Sequence, residues 1–166
     1  MVVCYSEDMY TIKLVQASDI EILADIFSKS FTQADAEKPW DKSHAEQYLL
    51  YWLAKQPDMF FAAFDEAGNP IGAMVVNIKP WRTSVRCSDG ALFVSPEHQK
   101  QGIAKALFKR VIEEAVNKYN ATSFEAVTFA AEEFPLTWYK KLGILPDEHA
   151  VLIKGDCSEI LKNLSH

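Results

Sequence analysis

Cysteine is scarce in this chain of 166 residues: Cys4, Cys87 and Cys157 stand far apart and odd in number. That pattern forms neither a disulfide framework nor a paired zinc-ligand set. Each thiol reads as inert, and a reducing cytoplasm is the simplest compartment. The four histidines show no spacing that suggests a metal site. No apolar run reaches membrane-spanning length, so no membrane partner is expected. The acidic start, residues 1–8, has no cationic stretch ahead of an apolar one, which argues against a secretory leader. There is no internal repeat, low-complexity tract or linker. A basic stripe is also missing, which speaks against a nucleic-acid partner. The net charge is −6, and residues 1–60 hold ten acidic and five basic residues. That half either forms a solvated acidic surface or attracts a cationic small substrate.

What remains suits one domain over residues 1–166 with a sizeable core. Residues 10–15 alternate as a first strand. Ser18 and Glu21 read as a capping box for a helix that presents Ile20, Leu23, Ala24, Phe27 and Phe31 on one side. Ser43 and Glu46 repeat the box for a second helix with Ala45, Tyr48, Leu49, Trp52 and Leu53 on one face. Residues 59–64, a turn over 65–69 and residues 71–78 read as a hairpin. A further strand covers 85–94, with Asp89-Gly90 as a bulge or bend. Then come a helix to Tyr119, a strand over 124–130, a short helix over 135–142 stopped by Gly143, a last strand over 150–153, and a final helix capped by Ser158. The order is mixed α/β, with parallel neighbours expected on either side of the helix that ends at Tyr119.

The stretch Gln99-Lys100-Gln101-Gly102-Ile103-Ala104 is the most informative. It follows the apolar run Ala91-Leu92-Phe93-Val94 and opens a helix whose apolar face is Ala104, Leu107, Phe108, Val111 and Ala115. The first turn of a helix has backbone N–H groups without partners inside it, with the positive end of the dipole behind them. A phosphate or pyrophosphate fits there. Gly102 offers no obstruction, and Lys100 and Lys105 add cationic charge to the rim.

This string resembles the acyl-CoA signature of the GNAT superfamily of N-acetyltransferases: Gln or Arg, two residues, Gly, one residue, Gly or Ala. Leu92-Phe93-Val94-Ser95-Pro96 resembles that family's fourth strand and its exit, and Tyr139-Lys140-Lys141-Leu142-Gly143-Ile144 its later Tyr-x-x-x-Gly-Phe element, with isoleucine in place of phenylalanine. The resemblance spans about residues 11–154. It implies an α/β (α+β) fold with a mixed, mostly antiparallel sheet and helices on both faces. The parallel fourth and fifth strands, here 85–94 and 124–130, would splay to bind acetyl-CoA as co-substrate.

The resemblance also distributes roles. Leu92, Phe93, Val94 and residues Gln99, Lys100, Gln101, Gly102, Ile103, Ala104 and Lys105 would contact the cofactor, with the Val94 N–H polarising the thioester carbonyl. Tyr139 would protonate the departing thiolate. Asp89 either relays the amine proton or serves a turn; Glu132 and Glu133 sit near the cleft mouth, where Glu132 either binds the cofactor, contacts the amine or is solvated. Phe31 and Trp40 would line the acceptor pocket, Trp40 as the better candidate, whereas Tyr48 and Trp52 read as core. His44 and His98 read as surface residues. Direct transfer is expected, because no histidine partner for Cys87 is apparent. Only 23 residues follow Gly143, few for two closing strands, so the acceptor wall is either reduced or completed by a partner chain, as in a homodimer. A small-molecule amine leads as acceptor, with a protein N-terminus or lysine left open. The competing class is a non-catalytic acyl-CoA-binding sensor or interaction module.

Overall fold

Successive residues of a strand face opposite sides of its sheet, and in this chain both sides are apolar. Phe60, Ala62 and Phe64 join one buried cluster with Leu23, Phe27, Leu49 and Trp52. Phe61 and Ala63 join another with Ile103, Leu107, Val111 and Ala115. A sheet with two apolar faces must be covered on both. Helices α1 (Ile20–Ala34) and α2 (Lys42–Lys55) cover the first face, and α3 (Ile103–Tyr119) covers the second.

The computed structural model describes residues 10–34, 39–128 and 133–164. The chain divides into two compact units, Met1–Val127 and Thr128–His166. Among the described residues the first unit holds a five-stranded sheet, β1 (Thr11–Leu14), β2 (Phe60–Phe64), β3 (Pro70–Trp81), β4 (Ser84–Val94) and β5 (Ser123–Phe124), ordered as in the chain. Every pairing is antiparallel except β4 with β5, which is parallel. The mixed sheet and the parallel pair match the expected architecture.

Helix starts differ from the expectation. Serine was expected at each cap; aspartate takes the position at the second and the last helix, while ahead of α1 the cap position is Gln16 and an aspartate reaches back to it. Asp19 accepts from the Gln16 N–H at 2.8 Å ahead of α1, where Ser18 and Glu21 were expected. Asp41, not Ser43, caps α2 by accepting from the His44 N–H at 3.0 Å. A carboxylate is the stronger acceptor for these N–H groups and also complements the helix dipole.

Among the described residues the fifth strand is shorter than the expected 124–130, of which 129 and 130 lie outside them. Two residues of β5 pair, the Glu125 N–H still donates to the Cys87 carbonyl at 2.9 Å, and residues 125–128 are irregular. Lys79 and Arg86 both hold the Glu125 carboxylate, each at 2.7 Å, which fixes the start of the parallel pair.

In the second unit, α4 (Glu133–Lys141) ends where Gly143 adopts φ +79°. The Gly143 N–H bonds the Lys140 carbonyl and the Ile144 N–H bonds the Tyr139 carbonyl, each at 3.0 Å. This is the Schellman arrangement that glycine permits. The expected strand over 150–153 does not form. Val151 and Ile153 are 85% and 86% exposed, and β-branched residues alone do not hold a strand that has no paired neighbour. Asp156, not Ser158, caps α5 (Cys157–Leu164), accepting from Ser158 and Glu159 N–H groups at 2.9 and 3.0 Å.

Candidate functional site

The site is built from the backbone of β4. Val75 pairs with Ala91 and Asn77 with Ser88, so Asp89 and Gly90 together oppose the single residue Val76. This is the bulge expected at Asp89-Gly90. Gly90 sits at φ +97°, and a Cβ there would meet the Val75 carbonyl oxygen at 2.0 Å. Only glycine fits. The Tyr48 hydroxyl, from α2, donates to the Gly90 carbonyl at 3.2 Å.

The inserted residue reverses the phase of the strand. Before the bulge, the Val85 and Cys87 carbonyls face β5 and accept from Thr122 and Glu125. After it, the Ser95 N–H bonds the Ile71 carbonyl at 2.8 Å, so Ile71 and Ser95 form a hydrogen-bonded pair. Hydrogen-bonded and non-bonded pairs alternate along an antiparallel ladder. The registers Gly72–Val94 and Met74–Leu92 therefore turn the N–H and C=O groups of Val94 and Leu92 away from β3. They lie on the edge of β4 beyond the end of the β5 pairing. A straight continuation of β5 would meet the bulge, which is why the parallel ladder stops so soon.

At the end of this edge, the Val94 carbonyl accepts from Ser30 Oγ at 2.9 Å and from Gln99 Nε2 at 3.2 Å. The chain then passes through a short 3-10 turn, Pro96–His98, and reaches α3. Lys100 and Gly102 both take left-handed φ angles, +63° and +84°. A Cβ on Gly102 would meet nothing within 4 Å, so the space in front of the helix is open. No side chain caps α3. Its first N–H groups point outward, and Lys100, Gln101, Gly102 and Lys105 are exposed around them. Ile103 is buried against the core and anchors the turn, and Ala104 is half-buried. An open, uncapped helix start is the kind of place where an anion can be held.

The remaining candidates are distributed as follows. The Phe93 side chain is buried against Phe27, with ring centroids 5.1 Å apart, so Phe93 offers backbone alone. Phe31 stacks on Phe27 at 4.4 Å, and Trp40 meets Phe27 edge-on at 5.0 Å. Both are half-buried at the rim of the same aromatic cluster. The Asp89 side chain and all of Glu132 lie outside the described residues, as does the side chain of Glu133. Cys87 is buried, and burial pushes its thiol up, away from thiolate formation. His44 is exposed and bonded to Asp41, as expected of a surface residue. His98 departs from expectation: its Nδ1 is buried without a hydrogen-bond partner among the described residues.

Tyr139 belongs to the second unit, on α4 beside Trp138. Burial pushes its phenol above the ordinary value, which keeps it protonated at neutral pH. The sequence did not single out Ser30, and it read Tyr48 as core. They reach Val94 and Gly90 across 64 and 42 residues. A serine and a tyrosine at helical spacing carry no mark of such distant partners. Among the described residues, no three His, Cys, Asp or Glu side chains converge as a metal site.

Comparison with known proteins agrees with the architecture. The sequence model of the Acetyltransferase (GNAT) family matches residues 20–144, and the chain belongs to that family. It is similar to an uncharacterized N-acetyltransferase of Methanocaldococcus jannaschii, 25% identical over 150 residues that cover 88% of this chain and 64% of the relative. The chain thus spans just under two thirds of that relative's length. Among solved structures it resembles a possible acetyltransferase from Clostridium difficile 630, with TM-score 0.74 at 11% identity, covering 90% of this chain and 99% of the other. It also resembles a ribosomal-protein-alanine N-acetyltransferase from Brucella melitensis biovar Abortus 2308, with TM-score 0.66 at 18% identity, covering 88% and 99%. At those identities the likeness shows the fold. Family membership implies acetyl-CoA as the acyl donor.

Proposed function

We propose that this chain transfers the acetyl group of acetyl-CoA to a primary amine of a small molecule by direct attack. The observation that carries the reading is an open strand edge followed along the chain by an open helix start. The outward N–H and C=O groups of Leu92 and the outward N–H of Val94 lie on the strand that leads, along the chain, into the open, uncapped start of α3 at Gly102. An extended amide arm suits the first part, and a pyrophosphate suits the second. Lys100 and Lys105 would flank the phosphates, with Gln101, Ile103 and Ala104 forming the turn around them. The family model crosses the boundary between the two units, which supports treating residues 1–166 as one acetyltransferase domain.

In the proposed reaction the amine nitrogen attacks the thioester carbon, and its C–N bond forms as the carbonyl oxygen gains negative charge facing the Val94 N–H. The C–S bond then breaks, and the thiolate takes the Tyr139 proton. The amine's extra proton leaves through Asp89, through Glu132 or through a water chain. Phe31 and Trp40 would contact the acceptor, with the acidic N-terminal half drawing in cations. The cytoplasm suits the free thiols. A second copy completing the acceptor wall is compatible with the absence of a strand at 150–153.

A protein N-terminus is the runner-up acceptor, favoured by the likeness to an enzyme described as acting on a ribosomal-protein alanine. A broad panel of amines and N-terminal peptides, assayed for CoA release and product mass, decides between them. Acetylated small amines support the leading reading, and acetylated peptides alone replace it with the runner-up. CoA binding without turnover across the whole panel would point to an interaction module instead.

A further inference from the structure

An oxyanion donor taken from a strand edge carries a conflict within itself. A residue's own N–H and C=O point to the same side of its strand. At Val94 the edge therefore presents a partial negative charge next to the donor. An acyl oxygen gaining charge is drawn to the N–H and repelled by the carbonyl.

In this chain that carbonyl is covered. A carbonyl oxygen has two lone pairs, and Val94 uses both, accepting from Ser30 Oγ at 2.9 Å and Gln99 Nε2 at 3.2 Å. The peptide unit is also held from its other end, because the Ser95 N–H donates to the Ile71 carbonyl at 2.8 Å. The carbonyl cannot rotate away from its two donors without breaking the ladder to β3.

Ser30 is unusual for a helical serine. Such a hydroxyl commonly bonds a carbonyl of its own helix, and Ser28 on the same helix does so, donating to Asp25 at 3.1 Å. Ser30 instead leaves α1 for β4, 64 residues away.

We propose that Ser30 is a positioning residue that quenches the Val94 carbonyl and leaves the Val94 N–H as a donor-only contact for the thioester oxygen. This rests on the acetyl-CoA reading of the site. Gln99, part of the signature string, shares the task from the other side. The edge of β4 thereby changes from an alternating donor–acceptor rail into a site selective for a developing anion. Ser30 also ties α1, which carries the proposed acceptor contact Phe31, to the point where the acyl group sits.

The test uses the full chain with carbon-13-labelled acetyl-CoA, read by isotope-edited infrared spectroscopy of the bound thioester carbonyl, alongside calorimetric affinity. In wild type the carbonyl band lies below its position in water. In Ser30→Ala it moves back toward that position while the affinity for acetyl-CoA changes little. Ser30→Thr keeps the wild-type band, and Ser30→Cys, a weak donor, falls between. With an amine that wild type acetylates, Ser30→Ala lowers kcat about tenfold, a fraction of what losing an oxyanion donor itself costs, and leaves the KM for acetyl-CoA near its wild-type value. A band unmoved in Ser30→Ala overturns the inference, including where the variant is less stable, since Ser30 then serves only the fold. If wild type binds no acetyl-CoA, the reading of the site fails first and this inference with it.

Discussion

Asp58 offers a perturbation whose size can be worked from the structure. It lies in the turn between α2 and β2, where its carboxylate takes hydrogen bonds from Lys118, Tyr119 and Gln56, the last at 2.9 Å. Lys118 and Tyr119 end α3, so this contact secures the far end of the helix whose start is the proposed anion site. Burial of Asp58 opposes ionisation, but the three hydrogen bonds outweigh it and hold the carboxyl at about 2, against an ordinary 3.8. That difference corresponds to a ceiling of about 2.4 kcal/mol of folding stability at neutral pH. Lys118 is 46% exposed, and water around it screens the pair, which brings the expected contribution to about 1–2 kcal/mol. Because the folded value is depressed, this stability is fully present above about pH 4 and is lost as pH falls through about 2. Asp58→Asn should therefore lower Tm at pH 7 by roughly 2–8 °C. Urea titrations of both proteins at pH 7, 5, 4 and 3 should show a constant gap down to pH 4 that then narrows. Equal stability at pH 7, or a gap that persists unchanged at the lowest pH where both fold, refutes the assignment.

Gly90→Ala should lose about 3 kcal/mol or more, because a Cβ meets the Val75 carbonyl at 2.0 Å at a positive φ. Gly68→Ala, with φ +84° and open space around it, should lose only about 1 kcal/mol, and equal Tm shifts for the two would deny the bulge its steric basis. Gly102→Glu should weaken CoA binding at least about tenfold beyond Gly102→Ala, which carries the same backbone strain without the negative charge. Matching affinities in these two folded variants would move the pyrophosphate elsewhere. Tyr139→Phe should reduce turnover far more than CoA affinity, since a leaving-group acid acts in the transition state. Burial raises its phenol, so the wild-type rate should hold through neutral pH and decline only in the strongly alkaline range. Unchanged turnover in Tyr139→Phe, with chemistry rate-limiting, removes it from the mechanism.

Much of the first unit was legible because its signals are local. Alternation marked the strand at 10–15, a short apolar run before a turn marked the one at 59–64, apolar spacing marked α3, and the Asp89-Gly90 pair marked the bulge. The uncapped helix start at Gly102 followed from one small residue between a strand and a helix. The identity of the caps was less legible. Ser18, Ser43 and Ser158 satisfy a pattern, but Asp19, Asp41 and Asp156 stand close by and bind N–H groups more strongly. Only the geometry of each turn decides which carboxylate or hydroxyl reaches.

The sequence by itself determined the order of the elements from β1 to α3, because each depends on residues close along the chain, and the parallel neighbour of β4, because a helix joins the two strands. Tertiary structure decided the rest. The 150–153 segment has the side chains of a strand and no strand forms, since a strand exists only with a hydrogen-bonded neighbour. The phase reversal at the bulge decided that Val94 and Leu92, rather than their neighbours, turn their backbone to the open edge. The hydroxyls of Ser30 and Tyr48 meet carbonyls 64 and 42 residues away. A hydrogen bond from a side chain to a distant backbone carbonyl imposes no period and no composition on the chain. It can be read only after folding has brought the two groups together.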